Sequence, residues 1–198
     1  MPQPLILAST SPYRAALLAR LGLPFLVAAP GVAEDHRPGE APAARALRLA
    51  LAKAQAVAAT RPDDWVLGSD QVADCGGHVL EKPGTADRCR AQLAACSGRS
   101  VTFFTAAALM RGRTTAASQH VDRTIVRFRN LSAADIASYV QRDRPLDCAG
   151  GFRCEGLGIT LFEGIDSDDP TALVGLPLIW VARALREAGL DPLAATQT

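Results

Sequence analysis

The chain has 198 residues, 48% of them hydrophobic, which is enough for one substantial core or for one domain with two lobes. A formal net charge of +1 gives no global field that would attract nucleic acid or an anionic membrane, so phosphate binding would need a local cluster of cations. The sequence shows no apolar run of the ~18 residues that span a bilayer and no signal peptide, which predicts a cytoplasmic protein.

The cysteines favour a reducing compartment and no metal framework. There are five of them, and no two are spaced as Cys-x-x-Cys, which argues against a zinc site and against a disulfide framework. Cys89 and Cys96 lie in one helical pattern, which predicts that both face the core. The three histidines share no motif, and we expect structural or exposed positions for them. We expect a single domain over 1–198, with 191–198 as a frayed tail.

The first strand, turn and helix form a candidate anion site. Leu5–Ala8 is a short apolar strand, the hydroxyl-rich residues 9–11 form a turn, and Pro12 opens a helix with Ser11 as its N-cap. The free N–H groups of this helix start, its dipole and the hydroxyl groups converge on one point. Arg14 opposes the dipole unless an anion lies between them, which favours phosphate. The alternative is an ordinary turn with a solvent-facing Arg14.

The next segments contribute an acidic pair and a lysine. A polar loop contains Glu34 and Asp35, which either hold a divalent cation or are simply solvated. An alanine-rich pattern predicts a helix over 42–59 that carries Lys53. Of the 21 basic residues only Lys53 and Lys82 are lysines, so each is either needed for its compact ammonium group or a chance survivor in an arginine-rich chain.

A second informative stretch covers residues 65–72. Its apolar start predicts a buried strand, and the small residues that follow predict a turn that presents Asp70. Ligands of α/β sheets lie at the carboxyl ends of strands, so Asp70 is a candidate general base or metal ligand. After a hairpin turn at 74–78, another short strand leads into Glu81 and Lys82.

The second half of the chain is predicted to contain helices, an antiparallel pair of strands and a glycine-rich loop. The ranges are a helix at 85–96, strands at 100–110 and to about 129 around a turn at 111–113, a helix at 132–142, a loop at 143–158, a strand at 159–162 and a helix at 171–188. Ser132 and Asp135 match a capping box. The glycines around Phe152 indicate a backbone that approaches a ligand closely. The acidic loop 166–170 lacks the glycine of a calcium loop, and we expect a solvated turn.

Cations beside an anion-binding turn, together with carboxylates, suit a polyphosphate bridged by Mg²⁺ or Mn²⁺. The sequence contains neither the phosphate loop of P-loop NTPases nor the glycine pattern of dinucleotide enzymes. Several short motifs do follow one another along nearly the whole chain. This ordered set resembles the Maf family of nucleoside triphosphate pyrophosphatases, and its members are Leu7–Arg14, Gly68–Gln71, Glu81–Pro83, Ser97–Gly98 and Glu155–Gly156.

The resemblance implies a fold, an activity and a cofactor. The fold is α/β, a mixed twisted sheet with flanking helices in two lobes around a central cleft, related to that of the inosine triphosphate pyrophosphatases. The activity is hydrolysis of a nucleoside triphosphate to a monophosphate and diphosphate, with a divalent metal cation, Mg²⁺ or Mn²⁺. The expected partner is this substrate, with no nucleic acid and no membrane, and a homodimer stays open.

The resemblance also implies roles for single residues. Asp70 matches the family's catalytic acid, taken as the proton acceptor for the attacking water, and it is an expected metal ligand together with Glu34. The phosphate-binding positions are matched by Ser9, Arg14, Lys53 and Lys82. These cations and the metal would offset the charge that builds on the leaving diphosphate. Whether Asp70 acts on the water directly or through the metal stays open.

Three positions determine the expected substrate. Tyr13, Gln71 and Glu155 are similar to the branch of the family that acts on 7-methyl-GTP, and the branch that handles dTTP and UTP differs at Gln71 and Glu155. The cationic base would stack on the Tyr13 ring with a gain of ~1–2 kcal/mol, and the Glu155 carboxylate would accept from the guanine N1–H and amino group. The alternatives are dTTP or UTP, a broad range of nucleotides, or a nucleotide-binding regulator of cell division. For Tyr13 the alternative is packing on a neighbouring element.

Overall fold

The computed structural model describes residues 5–112 and 118–194, which form a mixed α/β fold around one seven-stranded sheet. The strands are β1 (Leu5–Ala8), β2 (Phe25–Val27), β3 (Trp65–Cys75), β4 (His78–Leu80), β5 (Ser100–Arg111), β6 (Ser118–Phe128) and β7 (Phe162–Asp166). The helices are α1 (Pro12–Ala19), α2 (Pro42–Ala58), α3 (Ala86–Cys96), α4 (Ala133–Asp143) and α5 (Leu178–Glu187). The expected architecture, a mixed sheet with flanking helices, is confirmed.

The sheet has a gap beside its third strand. The strand order is β2-β1-β3-β5-β6-β7, with β4 on the edge of β3. β1 is parallel to β2 and β3, and the other pairs are antiparallel. β1 pairs with β3 only as far as Ala8 opposite Gly68, and β4 pairs only from Ala73 onwards. Within the described residues, 69–72 therefore have β5 on one side and no strand on the other. We call residues 69–72 the open edge of β3.

Apolar side chains pack on both faces of the sheet and define two lobes. In the first lobe, α1 and α5 cover one face of β1 and β3, and α2 covers the other face. In the second lobe, α3 and α4 pack on the far ends of β5 and β6. The centre of the second lobe is a group of edge-to-face rings with centroids 4.8 to 5.6 Å apart, formed by Phe103, Phe128, Phe152 and Phe162.

Gly68 allows α2 to lie unusually close to β3. A Cβ at this position would lie 2.2 Å from the carbonyl oxygen of Ala50 and 2.7 Å from the backbone nitrogen of Ala54. Any larger residue would therefore push the helix away from the strand. Because Lys53 precedes Ala54 in α2, this close approach places the lysine side chain beside the open edge of β3.

Short-range signals in the sequence are confirmed. The Ser11 hydroxyl caps α1 by accepting from the Arg14 N–H at 3.4 Å, and Thr85 caps α3 in the same way. Ser132 and Asp135 form the predicted capping box of α4, with aspartate in the usual place of glutamate. The predicted antiparallel pair is β5 with β6. Cys89 and Cys96 are fully buried, as their spacing predicts.

The prediction that a strand ends just before Asp70 is wrong. β3 continues to Cys75 because β5 pairs with it antiparallel along nearly its whole length. What ends before Asp70 is the parallel partner β1, whose last pair is Ala8 with Gly68. The rule that ligands lie at the carboxyl ends of parallel strands thus holds for the parallel part of β3.

The predicted strand at 159–162 is wrong as well. Residues Leu157–Leu161 form a 3₁₀ helix, and the strand begins only at Phe162. The Thr160 hydroxyl donates to the carbonyl oxygen of Leu157 at 2.8 Å, which closes the turn. Gly158 lies so close to the Arg153 backbone that a Cβ would be 2.3 Å from its oxygen. This contact favours a tight turn over an extended strand.

The last helix begins at Leu178 and not at 171. Gly175 adopts φ +122° and Pro177 disfavours a helical residue before it, so 171–177 forms a turn with a short 3₁₀ segment. The expectation of a fully solvated acidic loop at 166–170 is also wrong, because Asp169 is only 3% exposed. Its carboxylate accepts from the Ile179 N–H at 2.7 Å and so satisfies the start of α5.

Two predictions fall partly outside the described residues, namely the turn at 111–113 and the frayed tail at 191–198. Among the helices that the structure describes, none combines the length and the apolar character needed to cross a bilayer.

Candidate active site

A cleft of about 600 Å³ lies between the two lobes, at the open edge of β3. Every residue that the sequence predicts for the site lines this cleft, namely Ser9, Tyr13, Arg14, Glu34, Lys53, Asp70, Gln71, Lys82 and Glu155. These side chains come from α1, α2, β3 and the loops that follow β1, β2, β4 and α4. The fold thus brings together residues that are far apart along the chain.

The open edge lets one strand present side chains from both faces of the sheet to one cleft. Successive side chains of a strand point to opposite faces, so Asp70 points towards α2, while Ser69 and Gln71 point the other way. The contacts agree, because Asp70 meets Lys53 of α2 and Gln71 meets the carbonyl groups of 172–173. With no neighbouring strand in the gap, a ligand at the open edge can contact both sets of side chains.

Lys53 links two carboxylates on the α2 side of the cleft. Its Nζ lies 2.6 Å from Asp70 Oδ1 and 2.6 Å from Glu34 Oε1. Lys53 and Asp70 are each only 6% exposed, whereas the Glu34 side chain is more than half exposed. The three groups form a charged centre whose inner half is shielded from water, where electrostatic interactions are strong.

The two carboxyl groups around Lys53 differ in their affinity for a proton. Burial raises the pKa of Asp70 above its ordinary value, although Lys53 and Arg14 act in the opposite direction. At Glu34, partial burial acts to raise the pKa, but the hydrogen bond and the charge of Lys53 outweigh it, and the pKa lies below its ordinary value. Asp70 is therefore the carboxyl group better suited to accept a proton.

Arg14 points into the cleft and not to solvent, which excludes the alternative of a solvent-facing residue. Its Nε donates to the carbonyl oxygen of Gly175 at 2.9 Å, and its Nη1 donates to Ser9 Oγ at 3.4 Å. Burial lowers the pKa of Arg14, and the nearby Asp70 and Glu34 oppose this effect. A guanidinium group keeps its charge in proteins, so a cation and a hydroxyl group lie together at the start of α1.

Lys82 is the third predicted cation that lines the cleft, after Lys53 and Arg14. In the part of the chain that the structure describes, its ammonium group has no hydrogen-bond or ion-pair partner. It is close enough to Glu34 to contribute to the lowered pKa of that residue. A cation that lines a cleft without a partner of its own is available for an anionic ligand.

Tyr13 and Glu155 also line the cleft, and Tyr13 lies beside residues 147–148 of the glycine-rich loop. The Tyr13 hydroxyl donates to Asp147 Oδ2 at 3.5 Å, and the Cys148 Sγ is 3.8 Å away. Burial, followed by the hydrogen bond to Cys148, raises the pKa of Tyr13. Glu155 is exposed and accepts only a long contact from Cys154 Sγ at 3.4 Å among the described residues. Its carboxylate oxygens are therefore free to accept hydrogen bonds from a ligand.

Two arginines of the cleft were not predicted as site residues. Arg45 is 9% exposed, and its Nη2 donates to the Glu34 carbonyl oxygen at 3.3 Å. The sequence feature that could have predicted Arg45 is its position two helical turns before Lys53, which puts both side chains on the same side of α2. Arg153 lines the cleft and donates to Asp143 Oδ1 at 2.8 Å. It belongs to the glycine-rich loop around Phe152, which was expected to approach a ligand and does line the cleft.

The donor set of the cleft fits a divalent cation that is shared with phosphate. Glu34 and Asp70 both reach one point, now held by Lys53 Nζ, at 2.6 Å. Mg²⁺ is often bound by one or two carboxylates together with substrate phosphates, which matches this pair. No group of three or more His, Cys, Asp or Glu side chains that could hold a metal ion occurs in residues 5–112 and 118–194. A metal here would need oxygen atoms from the ligand.

Comparison with known proteins gives a family match, two relatives and one solved structure. A family model described as "Maf-like protein" matches residues 4–188. A 7-methyl-GTP pyrophosphatase from Xanthomonas axonopodis pv. citri (strain 306) is 55% identical over 187 residues, which cover 94% of this chain and 97% of that protein. A 7-methyl-GTP pyrophosphatase from Albidiferax ferrireducens is 52% identical over 191 residues, or 96% of each chain. A solved HAM1 protein from Coxiella burnetii is 18% identical, with a TM-score of 0.44 over 64% of this chain and 73% of that one.

Proposed function

Since the chain belongs to the Maf family, we propose that it hydrolyses 7-methyl-GTP to 7-methyl-GMP and diphosphate and so removes a modified nucleotide. The observation that carries this proposal is the cleft that joins the Lys53, Asp70 and Glu34 centre to Tyr13, Gln71 and Glu155. The two relatives named above, which share more than half of their residues with this chain, bear the name of this activity.

The reaction breaks one phosphoanhydride bond. The oxygen of a water molecule bonds to the α-phosphorus, the bond from this phosphorus to the oxygen bridging to the β-phosphorus breaks, and diphosphate leaves with the electron pair. The proton of the water passes to Asp70, whose raised pKa makes it a stronger base than an ordinary carboxylate. Lys53, at 2.6 Å, keeps Asp70 ionised until the proton arrives.

The cations of the cleft offset the charge that builds on the leaving diphosphate. Arg14 and Ser9 lie at the start of α1, where backbone N–H groups and the helix dipole also favour an anion. Lys82 also lines the cleft, and it has no hydrogen-bond or ion-pair partner in the described residues. Fixed donors aimed at developing charge are the main source of rate acceleration in phosphoryl transfer.

The proposed cofactor is Mg²⁺ or Mn²⁺, which Glu34 would hold together with phosphate oxygens, and which Asp70 would also hold if it acts on the water through the metal. When bound, the cation would supply positive charge that polarises the phosphate groups. Lys53 could adjust its contacts with the two carboxylates, because its ammonium group is compact and its stem is flexible.

We propose that Tyr13 and Glu155 recognise the base. The base of 7-methyl-GTP carries a delocalised positive charge, and the Tyr13 ring offers a face for cation–π stacking worth ~1–2 kcal/mol. The free carboxylate of Glu155 accepts from the N1–H and amino group of guanine. Both contacts favour a methylated guanine over a pyrimidine.

A substrate panel tests the proposal. Diphosphate release is measured with 7-methyl-GTP, GTP, dTTP, UTP and ITP, and we expect the highest kcat/KM with 7-methyl-GTP. Faster turnover of dTTP or UTP would contradict it, and equal values on all five would indicate a broad activity.

Replacement of the base tests the mechanism. We expect Asp70→Asn to lower kcat by roughly 10²- to 10⁴-fold, because the amide cannot accept the proton of the water. The matched control is Asp74→Asn, which lies on the same strand and the same face but does not line the cleft. Similar losses in both variants would show that Asp70 acts through folding, which thermal unfolding of each variant would also reveal. If the protein affects cell division and Asp70→Asn keeps that effect, its biological role would be nucleotide binding and not hydrolysis.

A further inference from the structure

The side-chain amide of Gln71 is held in one orientation. Its Nε2 lies 3.0 Å from the carbonyl oxygen of Ala172 and 3.1 Å from that of Leu173. A carbonyl oxygen can only accept, so the amide atom beside these groups must be the nitrogen. If the amide were turned over, its own oxygen would face two carbonyl oxygens without a proton between them.

Thr105 makes this orientation tighter. It lies opposite Gln71 in the pairing of β3 with β5 and is fully buried. Its hydroxyl donates to the Ala172 carbonyl oxygen at 2.9 Å, and its only proton is used in this bond. With this proton used, the hydroxyl oxygen can only accept from Gln71 Nε2, which is also 2.9 Å away, so the two protons of the amide are shared among three acceptors, namely this oxygen and the carbonyl oxygens of 172 and 173.

The remaining polar atom of Gln71 is available to a ligand. Gln71 lines the cleft, and among the described residues its Oε1 accepts no hydrogen bond. Nor is this oxygen among the buried polar atoms that lack a partner in the described residues. The Gln71 side chain thus presents an acceptor to the cleft, on the same face of β3 as Ser69.

We infer that Thr105, which does not line the cleft, determines base specificity through Gln71 by locking the amide with its oxygen towards the ligand. Gln71 and Glu155 then both present acceptors to the cleft, which fits a base edge with several N–H donors. Guanine offers three such protons, one on N1 and two on the 2-amino group, which suffice for the Glu155 carboxylate and the Gln71 oxygen, whereas adenine places an acceptor at N1. The inference rests on the proposed function for the location of the base, and it makes Thr105 a positioning residue.

The test compares variants by how well they separate guanine from adenine. The dissociation constants of 7-methyl-GMP, GMP and AMP are measured by calorimetry, together with kcat/KM for 7-methyl-GTP, GTP and ATP. In Thr105→Val, which keeps the shape and removes the hydroxyl, we expect the preference for GMP over AMP to fall about fivefold. The change should appear in the dissociation constant and in KM, with kcat for 7-methyl-GTP nearly unchanged. Thr105→Ser, which keeps the hydroxyl group, should keep the wild-type preference for GMP over AMP.

Two further variants keep the test decisive. Thr124→Val removes another fully buried strand hydroxyl, one that bonds to Ser167 and is absent from the cleft lining, and should leave the preference unchanged. If Thr105→Val does not fold, Gln71→Glu serves in its place. It keeps an acceptor towards the cleft but sets oxygen against the carbonyl groups of 172–173, so we expect it to lose the preference for guanine.

The outcomes separate this inference from the proposed function. An unchanged preference for GMP over AMP in Thr105→Val, or in Gln71→Glu if that variant is used, would overturn the inference. A wild-type protein that does not hydrolyse 7-methyl-GTP, but still prefers guanine in a way that depends on Thr105, would overturn the proposed substrate and support the inference.

Discussion

Lys53 lies at the centre of the charged groups of the cleft. Its ammonium group lies 2.6 Å from each of two carboxylates, one nearly buried and one largely exposed. The buried partner, Asp70, has a raised pKa and the exposed partner, Glu34, a lowered one. One lysine thus lies between two acids of different proton affinity, which supports the proposed role of Asp70 as the base.

The pH dependence of the reaction follows from the pKa of Asp70. The base must be ionised to accept a proton, so activity rises as the pH increases through this raised pKa. Lys53 lowers the pKa by favouring the charged form, and its removal in Lys53→Met should therefore move the acidic limb of the kcat/KM profile to higher pH.

The matched variant is Lys82→Met. This residue also lines the cleft, but it is not among the groups that shift the pKa of Asp70. We expect it to raise KM while the acidic limb stays in place. A limb that moves equally in both variants would mean that a group other than Asp70 titrates.

At the scale of elements, the approach of α2 to β3 decides where Lys53 lies. The helix sits over Gly68 with no room for a Cβ, and Lys53 lies in the turn that makes this contact. The geometry of the charged centre is therefore set by backbone packing as much as by side chains.

Gly68→Ala tests this link between packing and activity. The added Cβ would lie 2.2 Å from the Ala50 carbonyl oxygen, so α2 must move away from β3. We expect a loss of about 1–3 kcal/mol in the free energy of unfolding, measured with denaturant, and at least a tenfold loss of kcat.

Gly77→Ala, in the turn between β3 and β4, is the control for a glycine replacement. At Gly77 φ is +90° and no atom lies within 4 Å of an added Cβ. The expected cost is therefore local backbone strain of about 1 kcal/mol, with no change in the cleft. We expect its kcat to equal that of the wild type. If Gly68→Ala also keeps full activity while losing stability, the position of α2 does not control the reaction.

At the scale of the whole molecule, β3 and β5 run through both lobes, and the cleft takes its lining from both. Ser9 and Arg14 belong to the first lobe, whereas Phe152 and Phe103 belong to the second. A ligand that fills the cleft therefore contacts both lobes and should stabilise their relative arrangement.

Hydrogen exchange measures this effect. In the presence of a 7-methyl-GTP analogue with a non-hydrolysable α–β bridge, we expect slower amide exchange in residues 9–14, 147–155 and 171–175. An analogue of inorganic triphosphate alone should protect only 9–14, because it has no base to reach the second lobe. Protection of only one lobe by the nucleotide would contradict a site that spans both.

Local signals in the sequence were sufficient for the caps of α1, α3 and α4, because a cap involves residues three apart in the chain. The family motifs were sufficient to place Asp70, Lys53 and Glu34 in one cleft. They gave no indication of the contact between Thr105, Gln71 and residue 172, since it joins three distant segments through strand register.

The start of α5 and the turn before Phe162 were missed for a related reason. The apolar pattern of 171–188 is helical, but Gly175 and Pro177 override it at its first residues. The buried role of Asp169 could not be predicted from an acidic run, because its carboxylate accepts from the Ile179 N–H, ten residues away, as well as from Thr171.

The gap in the sheet at 69–72 makes the length of β1 a functional property of this protein. A β1 longer by four residues would complete the ladder with β3, and the bound nucleotide would have no place. The turn at 9–11 and Pro12 end the strand where they do. Insertions or deletions in this turn would therefore abolish the reaction even if every side chain of the cleft were kept. During evolution, chain length in this short segment would be under as strict a selection as the identity of Asp70.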